Sequence, residues 1–157
     1  MPDDPRGSLR WSLSKLRSLL NDGGRERLLA DREHVSFQAA DMSIDIVDLR
    51  RDLRSGTAAL ATPRLEEMAS RFRGELLEGT SLPDLPEFEA WLLAERDAAR
   101  RTQATVLHEL VGRLAERPDD AARYAVDLVG ADPYSVVAHA ALVRSLRAAG
   151  RREEAEH

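Results

Sequence analysis

Proline and glycine residues divide the sequence after residue 43 into segments that each show the periodicity of a helix. Pro63, Pro86 and Pro118 stand at boundaries between such segments, and Gly150 follows the last of them. Within the segments apolar residues recur every three or four positions, and no alternation of apolar and polar residues indicates a strand. The sequence therefore predicts that residues 43–157 are all α.

Five helices are expected in this region. They are one through Ile46, Leu49 and Leu53 that ends near Ser55, one that opens at Thr62, one of about 28 residues after Pro86, one through Ala121 and Val129, and one from Val136 to Leu146 that stops before Gly150. Residues 79–86 contain two prolines and are predicted to be a turn-rich connector.

The last helices show weak internal similarity. Leu110 and Leu114 precede Leu142 and Leu146 by 32 residues, and Ala121 precedes Ala155 by 34. Such spacing favours a tetratricopeptide-like arrangement of helix pairs over an ordinary bundle. In that arrangement a further helix would begin near the last residue, so we expect the chain to be cut from a longer protein.

The first 42 residues show a different pattern. Leucines at positions 9, 13, 16 and 20 form one stripe of a helix over residues 7–20, which residues 21–24 should end. Two short runs follow, Arg27–Ala30 and His34–Gln38, and the second alternates apolar with polar residues. We expect a helix followed by a β-hairpin.

Charge is unevenly distributed. The chain carries a net charge of −5, yet residues 5–20 hold four bases and no acid. Positions 10, 14, 17 and 18 of this helix lie opposite its leucines and hold arginine or serine, with Trp11 and Lys15 on the flank. A basic helix followed by a hairpin suits DNA recognition, but the same residues also suit an ordinary solvated helix face.

Aromatic residues make up only 4% of the chain, which disfavours a platform for stacking single-stranded nucleic acid.

The sequence offers little for catalysis. It has no cysteine, its four histidines show no metal-ligand spacing, and it contains neither a phosphate-binding glycine motif nor a nucleophile elbow. Paired carboxylates such as Glu66 and Glu67 stand near predicted helix starts, where they favour the helix dipole. We therefore predict no enzyme activity, no metal and no cofactor. The absence of a long apolar run or a signal peptide predicts a soluble cytoplasmic protein that does not contact a membrane.

Several stretches resemble one family of bacterial regulators. Residues 6–20, RGSLRWSLSKLRSLL, and 28–37, LLADREHVSF, resemble the recognition helix and wing of the response-regulator-type winged helix in antibiotic-regulator (SARP-type) activators. Residues 74–79, GELLEG, and 82–96, LPDLPEFEAWLLAER, look like the bacterial transcriptional activator domain (BTAD) that follows it. Residues 132–133 and 148–155 are similar to the tetratricopeptide-like end of that domain.

The resemblance implies a mainly α fold with a truncated winged helix in residues 1–42 and a tetratricopeptide-like helical domain in residues 43–157. It implies that nine residues lie at or near DNA: Arg6, Ser8, Arg10, Trp11, Ser14, Lys15 and Arg17 on the helix, with Arg32 and His34 on the wing. The helices that precede the recognition helix in the family have no counterpart before residue 6. Without them we expect half of the leucine stripe to be uncovered. We therefore expect that the chain is a fragment, that its start is misplaced, or that a partner completes the domain.

The function expected from this resemblance is transcription regulation, with double-stranded promoter DNA as a partner when the winged helix is complete. The helical domain would contact RNA polymerase or another protein, or pair in a homodimer. Two alternatives stay open: an interaction module that does not bind DNA, and the N-terminal accessory region of a larger signalling enzyme.

Overall fold

The chain forms two compact units, described here from a computed structural model that covers residues 4–21 and 24–156. Contacts divide the chain after Ile44. The first unit holds helix α1 (Pro5–Leu20) and strands β1 (Leu28–Ala30) and β2 (Val35–Phe37). The second holds helices α2 (Asp45–Asp52), α3 (Thr62–Ser70), α4 (Pro86–Arg113), α5 (Pro118–Ala131) and α6 (Val136–Ala148), with short 3-10 helices at Leu53–Ser55 and Thr57–Ala59. The predicted mainly α fold with one hairpin is confirmed.

In the first unit, α1 leads into an antiparallel hairpin. Pro5 stands at the first position of α1, where its missing N–H costs no hydrogen bond. Leu29 pairs with Ser36 at the centre of the hairpin. The Asn21 side-chain carbonyl accepts from the backbone N–H groups of Arg27 and Leu28, which fixes the passage from helix to strand. Asp22 and Gly23, predicted to help end the helix, lie outside the described residues.

In the second unit, the core is built on α4. Leu65 and Met68 of α3 pack against Val106 and Leu110 of α4, and all four side chains are fully buried. Apolar burial of this kind contributes roughly 1.5–3 kcal/mol per large side chain. The core therefore holds α2, α3 and the second half of α4 together.

Helices α4, α5 and α6 pack in succession along the chain. Small residues occupy their contacts: Ala121 and Ala125 on α5, and Ala138 and Ala141 on α6, are all buried. Short side chains let helix axes approach closely, which is the packing that paired helical repeats require. Within residues 151–156 the chain makes a turn, in which the N–H of Ala155 donates to the carbonyl of Arg152.

Prolines set the helix boundaries in the second unit. α3, α4 and α5 each have proline at one of their first two positions. The predicted length of about 28 residues for the helix after Pro86 agrees with the 28 residues of α4. Pro118 stands at the predicted boundary between two helices: α4 ends at Arg113, and Pro118 opens α5 because its fixed φ suits a first turn.

Candidate nucleic-acid interface

The exposed face of α1 carries the predicted DNA-contacting side chains. Arg10 and Ser14 lie one turn apart, and Trp11 and Lys15 follow the same spacing beside them. All four are exposed, and Trp11 keeps 66% of its surface accessible. The Lys15 ammonium lies 5.7 Å from the centre of the Trp11 ring, within range of a cation–π contact. Arg6 and Ser8, one turn earlier, are exposed as well.

Three cations on this helix have no ion-pair partner among residues 4–21 and 24–156. They are Arg6, Arg10 and Lys15. α1 itself contains no acidic residue that could neutralise them. An anion approaching any of these three side chains would therefore displace water and counterions rather than an existing salt bridge.

Arg17 is placed differently from the other cations of α1. Its Nε donates to the backbone carbonyl of Leu28 at 3.2 Å, and its guanidinium lies 4.0 Å from the Glu26 carboxylate. Leu28 is the one buried apolar side chain among the described residues of the first unit. Arg17 therefore ties α1 to the first strand, which positions the basic face relative to the hairpin.

The tip of the hairpin is ordered by one carboxylate. Asp31 accepts from the backbone N–H groups of Glu33 and His34, each at 2.7 Å. These hydrogen bonds, that of Glu33 first, lower the pKa of Asp31. The turn leaves Arg32 exposed, with no ion-pair partner in the described part of the chain, while His34 Nδ1 lies 3.7 Å from the Asp31 carboxylate.

Sequence reasoning missed a cluster at the base of the hairpin. The Asp41 carboxylate pairs with Arg25 and, at 2.6 Å, with Arg27. The hydrogen bond from Arg27, with the charges of both arginines, lowers the pKa of Asp41 to about 2. The sequence does contain a signal for this cluster, because Asp41 is the only acidic residue in residues 34–44. Arg25 and Arg27 precede it and had no predicted partner. Arg25 and Arg27 are consequently less available to a phosphate than the cations of α1.

The opposite side of α1 is partly uncovered. Leu9 and Leu16 are exposed, whereas Leu13 and Leu20 are half-buried. Two of the four stripe leucines therefore lack a complete apolar environment in the described residues of the first unit.

In the described part of the second unit, arginines without an ion-pair partner line separate cavities: Arg73, Arg101 and Arg144. One cavity of about 550 Å³ lies between Phe72, α4 and α5, and two arginines of α4, Arg96 and Arg100, line it. Both already pair with Glu75, Arg96 at 3.2 Å. Within the described ranges no group of three or more histidine, cysteine or acidic side chains is arranged to hold a metal ion.

Comparison with known proteins identifies the second unit. The family model described as bacterial transcriptional activator domain matches residues 44–157, which is most of the chain. No curated protein and no solved structure gave a significant match. No helix in the described residues is long and apolar enough to span a bilayer. The match covers the whole helical unit built on α4, and the chain belongs to the bacterial transcriptional activator domain family.

Proposed function

We propose that this chain is a transcription regulator of SARP type, without catalytic activity, that holds promoter DNA through α1 and the hairpin. The helical unit serves as a tetratricopeptide-like interaction domain for RNA polymerase, another protein or a second copy of the chain. Family membership supports transcription regulation. The observation that carries the DNA contact is that α1 exposes three cations, Arg6, Arg10 and Lys15, which have no acidic partner among the described residues.

The exposed surface of α1 suits a duplex in both shape and chemistry. Arginine and lysine reach phosphates and base edges, while Ser8 and Ser14 are small enough to let the backbone approach. A helix of 16 residues is long enough to lie in a major groove. In this arrangement Arg32 and His34 contact the sugar-phosphate backbone from the hairpin, and Arg17 acts by orienting α1.

The test is fluorescence anisotropy of labelled duplex DNA with the full chain at about 50 and about 200 mM salt. The three cations of α1 predict an affinity that falls with salt at a slope of about −2.7 in log K against log salt, to which Arg32 on the hairpin adds about −0.9. Replacing Arg6, Arg10 and Lys15 with alanine should weaken binding at low salt and remove most of that slope.

A matched control removes the same charge from the helical unit. Arg101, Arg144 and Arg147 are exposed and have no ion-pair partner in the described part of the chain. Their triple alanine variant should bind DNA as the parent does. Equal losses in both variants would show that binding follows net charge alone, and no salt-dependent binding by the parent would refute the DNA contact.

A second candidate function is protein interaction without DNA binding. The exposed Leu9 and Leu16 favour it, because an apolar stripe of this kind is normally covered. In that case replacing Arg6, Arg10 and Lys15 with alanine leaves the protein interaction unchanged, whereas lysine at positions 9 and 16 abolishes it. Sedimentation of the parent and the Leu9→Lys/Leu16→Lys variant, combined with the DNA titration, separates the two functions.

A further inference from the structure

The first half of α4 presents apolar side chains to solvent. Four exposed apolar residues lie on neighbouring turns of the helix, at spacings of three or four positions. They are Ala90, Trp91, Leu93 and Ala94. Trp91 keeps 49% of its surface accessible and Leu93 61%. We define these four residues as the outer face of α4.

The inner side of the same turns is already occupied. Leu92 is buried, and Phe88, half-buried, stacks at a tilt on Trp91 with ring centres 5.5 Å apart. The helix is therefore apolar on both sides here, although only one side is buried by this chain. A helix of this type normally buries both sides, and an exposed tryptophan flanked by aliphatic residues is typical of a protein interface.

The sequence around this face is acidic. Residues 74–95 contain six carboxylates and no arginine or lysine. Glu75 and Glu95 are paired with arginines, Glu95 with Arg50 at 2.7 Å. Glu78, Asp84 and Glu87 have no ion-pair partner in the ranges that the structure describes. Glu87 lies one turn before Trp91 and Ala90, which places a free carboxylate at the edge of the outer face.

Hydrogen bonds hold residues 76–82, which precede α4 in the chain, against that helix. Arg96 donates to the carbonyls of Leu76 and Leu77, both at 2.9 Å. The Glu89 carboxylate accepts from the Ser81 hydroxyl at 3.0 Å and from the N–H of Leu82. The carboxylates of Glu78 and Asp84 are therefore held close to the first half of α4.

We propose that the outer face of α4 is the docking site for a basic amphipathic helix of a partner protein. The apolar stripe of such a helix would cover Trp91 and Leu93, Ala90 and Ala94 would allow close approach, and its lysines and arginines would meet Glu87, Asp84 and Glu78. This inference rests on the interaction role proposed above for the helical unit. It does not depend on DNA binding by α1.

The probe is a synthetic 18-residue helical peptide of leucine and lysine with one apolar stripe, labelled with fluorescein. Its control has the same leucines but glutamate in place of lysine. Anisotropy titrations with the full chain should give at least about tenfold tighter binding of the lysine peptide. Equal affinity for the two peptides would overturn the proposed charge preference.

Two variants test the position of the site. Trp91→Ala and Leu93→Lys should each weaken binding of the lysine peptide about tenfold or more, because a central aromatic or aliphatic anchor carries much of an interface's free energy. Leu93 is mostly exposed, so its replacement should leave the fold intact, as circular dichroism would verify. The matched control is Tyr134→Ala, which removes a 95% exposed aromatic side chain elsewhere on the unit and should change the affinity less than twofold.

Charge reversal adds an independent test. Glu87→Lys should weaken the lysine peptide, whereas Glu116→Lys, at an exposed carboxylate outside the face, should not. If Trp91→Ala and Leu93→Lys leave binding within twofold of the parent, the proposal fails.

Tryptophan emission locates the bound peptide. In a Trp11→Phe background Trp91 is the only tryptophan, and its emission should shift to the blue when the peptide covers it. A dimer of the parent that Leu93→Lys converts to monomer, without peptide binding, would overturn the proposal in favour of a second copy as the occupant. DNA titrations of the same variants should be unchanged, so failure here is distinguishable from failure of the DNA proposal.

Discussion

The two units of this chain differ in how much apolar surface they bury. Among the described residues the first unit buries one apolar side chain, Leu28, whereas the helical unit buries 16, with Leu65, Val106 and Leu110 at the centre. A unit of about 44 residues with so little burial is marginal on its own, because conformational entropy opposes folding at every residue. Polar tethers must therefore matter more in the first unit than in the second.

This difference is functional as well as energetic. The first unit exposes Arg6, Arg10 and Lys15 without ion-pair partners in the described residues, while the second exposes apolar residues beside carboxylates on α4. The proposed DNA contact and the proposed helix-docking site are therefore chemically distinct. Each can be removed without altering the residues that carry the other.

The largest expected effect tests whether the units unfold separately. Leu110→Ala removes a fully buried side chain and should lower the free energy of unfolding of the helical unit by about 3 kcal/mol. Urea denaturation followed by circular dichroism at 222 nm measures it. Leu28→Ala should leave that main transition in place, and an equal loss in both variants would mean that the units unfold as one.

The next effect concerns a tether inside the helical unit. Arg113 donates to Glu109 at 2.7 Å and to the carbonyls of Thr57 and Leu60, which holds the 3-10 segment on α4. Arg113→Ala should lower the free energy of unfolding of the helical unit by about 1–2 kcal/mol in the same urea experiment, while the transition stays cooperative. Arg101→Ala, an exposed arginine on the same helix, is the control and should change the midpoint little.

The corresponding tether in the first unit is Arg17. Since the side chains of Arg17 and Asn21 carry the hydrogen bonds that hold α1 to the hairpin, Arg17→Ala should speed amide hydrogen exchange in β1 and β2 about fivefold, as expected for the loss of roughly 1 kcal/mol. Exchange in α5 should be unaffected. If the hairpin amides stay protected from exchange in both Arg17→Ala and Leu28→Ala, polar tethers do not govern the first unit.

A smaller effect should appear at low pH. The pKa of Asp41 is about 2 in the folded chain against an ordinary 3.8, so its carboxylate stabilises the hairpin above pH 4. That contribution should be lost as the pH falls from about 4 to about 2, when protonation breaks the pairs with Arg25 and Arg27. Hairpin amide shifts followed by NMR should show this titration. Asp41→Asn should abolish this titration while leaving that of Asp31 in place. If the hairpin amide shifts of Asp41→Asn change with pH as in the parent, the titration does not belong to Asp41.

The smallest effect is expected at Leu77. Its φ of 51° lies in the left-handed region, which is unfavourable for a residue with a Cβ. Leu77→Gly should raise the stability of the helical unit by about 0.5 kcal/mol, because relief of this strain exceeds the entropy cost of glycine. Leu76→Gly, at a half-buried neighbour with ordinary φ, should destabilise instead. Thermal denaturation of the two variants gives the comparison.

The predictable part of the fold was local. Prolines at the first or second position of α3 and α4, and leucines repeating at helical spacing, are signals contained within a few residues, so the helices and the hairpin could be read from the sequence. Pro118 shows the limit, because proline is compatible both with the end of one helix and with the start of the next.

The unpredicted part depends on residues far apart in the chain. Arg113 meets Thr57 across 56 positions, and Asp41 meets Arg27 across 14. Nothing in the local pattern around Arg17 distinguishes an arginine that binds a backbone carbonyl from one that faces solvent. Which cations of the candidate site are free is therefore a product of tertiary structure, whereas the presence of a basic helix is a property of the sequence.

The unbroken length of α4 constrains how this chain can change by insertion or deletion. At about 1.5 Å per residue its 28 residues extend about 42 Å, and Leu92 and Leu110, 18 residues apart, lie five turns from each other on one side. One residue inserted between them would rotate the first half by about 100° and turn the outer face to a new direction. An insertion in residues 79–84 leaves this phase intact, so the connector can vary in length where the helix cannot.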